Sequence, residues 1–229
     1  MDERCNKEDV WINPGSMLAT LHYLADRKRG KGCRVVMPYD DRLKGYTEWF
    51  AQLWGESLGK LLSLKGEEIH NGSTPIKALG SIDQHSQLQL YLEGPMDKTV
   101  TFISVEDPPN SFRIPEAYRH QAEFTPLLGK SVHQLLTFQR QATEAALLRA
   151  GCPNLTIRLK EVSPQTIGQL LYLAEVETVF AGALYDINPF DQPGVETIKK
   201  FIKGLLGVRG YEEYAQALEG QKKDPRYVI

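Results

Sequence analysis

The 229-residue chain contains no Gly-Gly dipeptide, no Gly-x-Ser-x-Gly elbow and no glycine-rich phosphate loop of the P-loop or dinucleotide type. These absences exclude a serine-hydrolase nucleophile turn and a Walker- or Rossmann-type nucleotide cradle. Cysteine is scarce: Cys5, Cys33 and Cys152 are an odd set without Cys-x-x-Cys spacing. They read as reduced thiols of a cytosolic protein, not as a disulfide frame or a zinc site. No His/Asp/Glu/Cys cluster has metal-ligand spacing, so no metal is expected. No run of about 18 apolar residues occurs, and no membrane span is expected. The opening MDERCNKEDV is charged and lacks the apolar segment of a secretory signal. Neither sign of charge dominates. Lys and Arg number 27 against 29 Asp and Glu, a net −2, so no global field draws nucleic acid. No internal repeat or low-complexity tract is evident.

What is present is ordinary globular composition. Hydrophobic residues make up 41% and charged residues 24%, enough for a sizeable core in one large domain or two small ones. Pro14-Gly-Ser16 opens a helix, with Ser16 as cap and Leu18, Leu21, Leu24 and Ala25 on one face. The basic run Arg27–Gly32 reads as a solvated turn. Cys33–Tyr39 fits a buried strand. Asp40 or Asp41 then caps a helix whose Leu43, Tyr46, Trp49, Phe50, Leu53 and Trp54 repeat at three and four, with Glu56 near its end and Gly59 as terminator.

Glu67–Ser73 reads as a loop, Pro75–Leu79 as a strand, and His85–Glu93 as a helix capped by Asp83. Lys98–Val105, rich in β-branched residues, is the clearest strand, and Asp107-Pro-Pro-Asn110 breaks it. The stretch to about Lys130 looks irregular. Ser131–Ala150 is helical, with Val132, Leu135, Leu136, Phe138 and Ala142 near one face. Leu155–Leu159 alternates as a strand. Ser163-Pro164 starts a broadly apolar, buried helix to about Leu184. Two more helices follow, Pro193–Leu206 and Tyr211 to about Gln221, and residues from Lys222 read as a mobile tail. Strands alternating with helices predict an α/β fold with a mainly parallel sheet covered on both faces. Ligands of such folds gather at the carboxyl ends of strands, the zone in which His85 falls.

One stretch is far more specific than any of these patterns. Gly182-Ala-Leu-Tyr-Asp-Ile-Asn-Pro-Phe-Asp-Gln-Pro-Gly-Val-Glu-Thr-Ile-Lys199 meets every fixed position of a long signature. The signature runs small residue, apolar pair, four residues, Phe-Asp-Gln, any residue, Gly-Val-Glu, two residues, Lys. It resembles the C-terminal signature of the phosphoglucose isomerase family. Two further stretches resemble the family in its order. Gln52-Leu-Trp-Gly-Glu56-Ser-Leu-Gly-Lys60 is similar to the segment with the family's catalytic glutamate. Ser73–Gln87, with Asp83-Gln-His85-Ser-Gln, is similar to the segment with its catalytic histidine. The resemblance runs from the first residues to about Tyr214 and is nearest in wording to bacterial members, including forms fused to a transaldolase.

The resemblance implies a three-layer sugar-isomerase-type (SIS) fold with added C-terminal helices, and interconversion of glucose 6-phosphate and fructose 6-phosphate without metal or cofactor. Moving a proton between C1 and C2 needs a base, for which the resemblance offers Glu56. A carboxylate near apolar rings is a better base at neutral pH, and Trp49, Phe50 and Trp54 precede Glu56. His85 would open the sugar ring, Lys199 would open the ring or orient substrate, and Gln52 and Gln192 would hydrogen-bond the sugar. In the family the histidine reaches the neighbouring subunit's site, which implies a homodimer, and the reduced thiols place it in the cytoplasm.

The family's Gly-Gly-Arg-aromatic-Ser motif and its Ser/Thr-rich phosphate loop are absent, and complete members are roughly twice this length. Residues 1–229 therefore read as one C-terminal domain lacking its N-terminal half. A truncated frame, a split gene and a deliberately cut piece all fit. So do a non-catalytic sugar-phosphate fold and the isomerase part of a transaldolase fusion. His22, His70, His120 and His133 match no motif and read as structural or surface groups.

Overall fold

A computed structural model describes residues 1–108, 112–219 and 226. Chain contacts divide it into two compact units, Met1–Pro189 and Phe190–Ile229. The expected tail from Lys222 lies outside the described residues, Arg226 excepted.

In the larger unit the elements run α1 (Asp2–Cys5), α2 (Pro14–Arg29), β1 (Cys33–Pro38), α3 (Lys44–Leu58), β2 (Lys60–Leu62), β3 (Glu68–Asn71) and β4 (Thr74–Lys77). They continue with α4 (Asp83–Ser86), α5 (Leu88–Glu93), β5 (Lys98–Val105), α6 (Val132–Arg149), β6 (Asn154–Leu159) and α7 (Pro164–Leu184). The main sheet has the order β4-β1-β5-β6, and each neighbouring pair is parallel. The parallel α/β architecture thus matches the sequence expectation, and the four strands foreseen near Cys33, Pro75, Lys98 and Leu155 are β1, β4, β5 and β6.

Alternation along the strands divides the core into two layers. Val36, Ile103, Val105 and Leu159 pack with Ala19, Phe50, Trp54, Leu170 and Ala181 of α2, α3 and α7. Val35, Met37, Val100 and Phe102 face the other way, towards Tyr91 of α5 and Leu147 of α6. Helix, sheet and helix make three layers.

Several local expectations are corrected. The cap of α2 is Asn13, not Ser16: its side chain accepts from the Gly15 and Ser16 amides, with Pro14 at the first helical position. The buried face of α2 is Gly15, Ala19 and His22, while Leu21 and Leu24 are exposed. Small residues face inward because α7 approaches closely: a Cβ on Gly15 would lie 2.6 Å from Val176 Cγ1. On α6 the buried residues are Arg140, Thr143 and Leu147, and Val132 and Phe138 are exposed. The stretch read as a loop at Glu67–Ser73 holds β3, which pairs antiparallel with β2. The single helix expected at His85–Glu93 is two short ones, α4 and α5.

Among the described residues, α7 is long and apolar enough to cross a bilayer, which the sequence reading did not expect. Its buried face carries the ion-paired Glu177 with Leu170, Leu173, Ala174 and Ala181, the pattern of a core helix. The thiols of Cys5, Cys33 and Cys152 are free. The basic run closes α2, where Arg27, Lys28 and Arg29 face the helix C-terminal dipole. The Arg27 guanidinium lies over the Tyr185 ring at 4.9 Å.

The smaller unit holds α8 (Pro193–Leu205) and α9 (Glu212–Glu219). They pack through a T-shaped Phe201–Tyr214 pair.

Candidate active site

The larger unit places Gln52 and Glu56 one turn apart on α3, where the Gln52 amide donates to Glu56 Oε1 at 3.3 Å. Gln52 is exposed and Glu56 half-buried. The end of α3 is fastened from several sides. Lys60 Nζ donates to the Glu56 carbonyl at 2.8 Å, and Asn71 Nδ2 donates to the Leu58 carbonyl at 2.9 Å. Trp54 Nε1 donates to Ser73 Oγ at 2.7 Å. The apolar rings are not gathered around Glu56 as expected. Phe50 and Trp54 are fully buried and stack on each other, while Glu56, two residues beyond Trp54, projects about 200° away around the helix. Trp49, seven residues before it, shares its face.

His85 sits on α4, beyond the far end of β4, and its side chain is exposed. The turn before it closes reciprocally: the Leu79 amide donates to Asp83 Oδ2 at 2.7 Å, and the Asp83 amide donates to the Leu79 carbonyl at 2.8 Å. Burial alone would raise the Asp83 pKa, but hydrogen bonds from Ser86, Leu79 and Gln87 outweigh it and the net direction is down. Asp83 is therefore held as an acceptor that pins the His85 turn. Gly80 permits that turn to press on Tyr39, since a Cβ there would lie 2.4 Å from the ring.

Glu56 and His85 thus belong to opposite ends of β4. The end of α3 is tied to Ser73, just before the strand, and α4 follows after Ala78–Ile82. A cavity of about 520 Å³ does lie at the carboxyl ends of the strands, lined by Tyr39, Asp40, Ser81, Ile82, Val105 and His133 among others. Gln52, Glu56 and His85 are not in its lining.

In the smaller unit Gln192 precedes α8, with Pro193 at the first helical position and no side-chain cap. Lys199 is exposed, and its Nζ donates to Glu196 Oε1 at 2.6 Å, one turn back. That contact holds the Glu196 carboxyl below its ordinary range. Sequence reasoning passed over Glu196, although the Gly-Val-Glu of the signature contains it. Gly182 of the same signature has a packing reason in the larger unit: a Cβ there would meet Pro189 Cγ at 2.8 Å. Among the described residues no group of three His, Cys, Asp or Glu could hold a metal ion.

The family profile described as phosphoglucose isomerase matches residues 1–213. The chain is 48% identical over its full length to a glucose-6-phosphate isomerase of Carboxydothermus hydrogenoformans, covering 49% of that protein. It is 45% identical to one of Rubrobacter xylanophilus, over 87% of this chain and 44% of that protein. The chain spans about half the length of the curated relatives it matches. Among solved structures, a hypothetical protein of Thermus thermophilus superposes with a TM-score of 0.78 at 36% identity, over 90% of this chain and 48% of that one. A glucose-6-phosphate isomerase of Chlamydia trachomatis gives 0.75 at 22% identity, over 95% of this chain and 44% of that one, a likeness of fold alone.

Proposed function

The chain belongs to the phosphoglucose isomerase family, and on that premise we propose that it supplies the C-terminal half of a cytoplasmic glucose-6-phosphate isomerase. The reaction interconverts glucose 6-phosphate and fructose 6-phosphate. The observation that carries this reading is the match along the whole chain at 48% identity, together with a carboxylate, an imidazole and an ammonium group in the family's motifs.

His85 assists ring opening by passing a proton to the ring oxygen as the C1–O5 bond breaks, and loss of the O1 hydroxyl proton to water leaves the C1 aldehyde. The Glu56 carboxylate then takes the C2 proton. The C–H electron pair becomes the C1–C2 double bond, and the carbonyl electrons move to O1, which gains a proton. Return of the proton from Glu56 to C1, with loss of the O2 proton, leaves the carbonyl at C2. Gln52 hydrogen-bonds the Glu56 carboxylate and orients it, while Gln192 and Lys199 hold sugar oxygens. Glu56 and His85 at opposite ends of β4 favour a site that draws the two residues from two copies in a homodimer. The remaining half of the protein contributes the grip on the phosphate.

The test is Glu56→Gln in the assembled enzyme, followed by solvent exchange of the C2 proton. Exchange should be abolished while sugar-phosphate binding persists. Exchange near the wild-type rate would reject Glu56 as the base.

A further inference from the structure

Beneath α3 lies a buried ionic cluster that the proposed reaction does not use. Arg34 of β1 is 3% exposed and Glu177 of α7 is 2% exposed. Arg34 Nη2 donates to Glu177 Oε2 at 2.9 Å, and Nη1 makes an ionic contact with Oε1 at 2.8 Å. The guanidinium is at the same time covered by two rings of α3. Its Cζ lies over both rings, 4.0 Å from the centre of Trp54 and 4.5 Å from the centre of Phe50. His22 of α2 completes the cluster, with its ring edge on Trp54 and its Nδ1 2.9 Å from both the Leu18 carbonyl and Glu177 Oε1.

The arrangement is costly for stability alone. A buried pair seldom outperforms well-packed apolar residues of the same volume, so stability alone is a weak account of it. Its geometry supplies another. A guanidinium is planar and forked: its edge reads the two carboxylate oxygens while its face stacks on rings. The edge contact fixes the plane of Arg34 against α7, and the face contact then fixes the rotation of α3 about its own axis. Phe50 and Trp54 occupy successive turns of one helix face. A helix held at both rings cannot roll, and Gln52 and Glu56 lie on those same turns. The lateral bond from Trp54 Nε1 to Ser73 sets the helix along its length.

We propose that Arg34, locked by Glu177, is a positioning residue: a stacked plate that sets the rotation of α3 and hence the direction of the Gln52–Glu56 pair. This rests on the reading of Glu56 as the base, and the tests below separate the two.

The first test needs no variant. Amides of the last two turns of α3 should exchange hydrogen as slowly as those of β1 and α7, opening only with the whole unit. An α3 end that frays independently would overturn the inference. The second test uses Arg34→Lys, which keeps the charge and loses the plate, and Arg34→Met/Glu177→Leu, which replaces the pair by apolar volume and leaves His22 its Leu18 partner. Arg34→Lys should speed exchange at the end of α3 by roughly tenfold or more with β1 and α7 still protected. In the assembled enzyme it should lower kcat by about tenfold or more with KM changed less than about twofold. The double variant should regain stability without regaining kcat. A double variant with wild-type kcat and a protected α3 would overturn the proposal. If Glu56→Gln retains C2 exchange, the reading of the base falls, and hydrogen exchange alone still judges the role of Arg34.

Discussion

His22 Nδ1 lies 2.9 Å from Glu177 Oε1, a histidine of α2 against a carboxylate of α7, both excluded from water. Two acceptors face that nitrogen, Glu177 and the Leu18 carbonyl, so it carries the proton of a neutral ring. Burial and the Arg34 charge depress the His22 pKa below the ordinary 6.5, against the pull of Glu177. For Glu177 burial alone acts upward, but the Arg34 charge and the His22 contact prevail and the net direction is down.

Both shifts make the protein acid-sensitive. Below pH 6.5 the unfolded histidine takes a proton that the folded one refuses. Below 4.5 the unfolded carboxylate does the same while folded Glu177 stays ionised. Unfolding therefore binds protons, and stability falls as pH falls. Urea midpoints at pH 7.5, 6 and 5 should decrease in that order, and His22→Gln should flatten the upper part of the slope. A midpoint constant from pH 7.5 to 5 would contradict the placement of His22.

Asn13 is the second position with a large expected effect. It is 1% exposed. Its oxygen accepts from the Gly15 and Ser16 amides, and its nitrogen donates to the Cys5 and Lys7 carbonyls at 2.7 and 2.8 Å. Asn13→Ala removes a helix cap and strands two carbonyls, a cost of about 2–4 kcal/mol. The melting temperature should drop by roughly 5–15 °C. Asn13→Asp keeps the cap but turns a buried carboxylate oxygen towards the Cys5 and Lys7 carbonyls, so it should destabilise at least as much as alanine at neutral pH.

The order of helices and main-sheet strands was legible because strands such as Lys98–Val105 are short runs rich in β-branched residues between breakers. Helix faces were harder to read. In α2 the rule that leucines point inward failed because the helix lies too close to α7 for large side chains, and Gly15 and Ala19 fill the contact instead. In α6 two of the three buried positions are Arg140 and Thr143, polar residues that periodicity assigns to solvent. The hairpin of β2 and β3 was missed because it is short and polar, with exposed leucines on its first strand. The family resemblance singled out Gln52 and Glu56, which lie one turn apart and touch. The cluster around Arg34 has no sequence signal, since its members lie on separate elements brought together only by folding.

Gly182 tests whether the long signature encodes packing as well as chemistry. Helix propensity alone favours alanine over glycine by about 1 kcal/mol. Here the new methyl would lie 2.8–3.0 Å from three atoms of the Pro189 ring, which cannot rotate away. Gly182→Ala should therefore destabilise by about 1–3 kcal/mol, the usual cost of overpacking. A rise in melting temperature would show that the Pro189 turn yields.

The last prediction concerns the chain by itself. It spans about half the length of its curated relatives, and its sequence contains no Gly-Gly-Arg-aromatic-Ser motif. For a small sugar phosphate, binding energy from the remote phosphate positions the reacting carbons. A cation beside the enediolate contributes a few kcal/mol in comparable oxyanion sites. On the proposed reading, a chain without both leaves the sugar unheld at Glu56 and His85. The purified chain should show little or no isomerase activity in a coupled assay, and adding a separately expressed N-terminal half should restore measurable turnover. That restored activity should vanish with Glu56→Gln in the chain, which separates true complementation from a host enzyme carried through purification. Full isomerase kinetics from the chain alone, abolished by the same substitution, would instead mean that these 229 residues build a self-sufficient site.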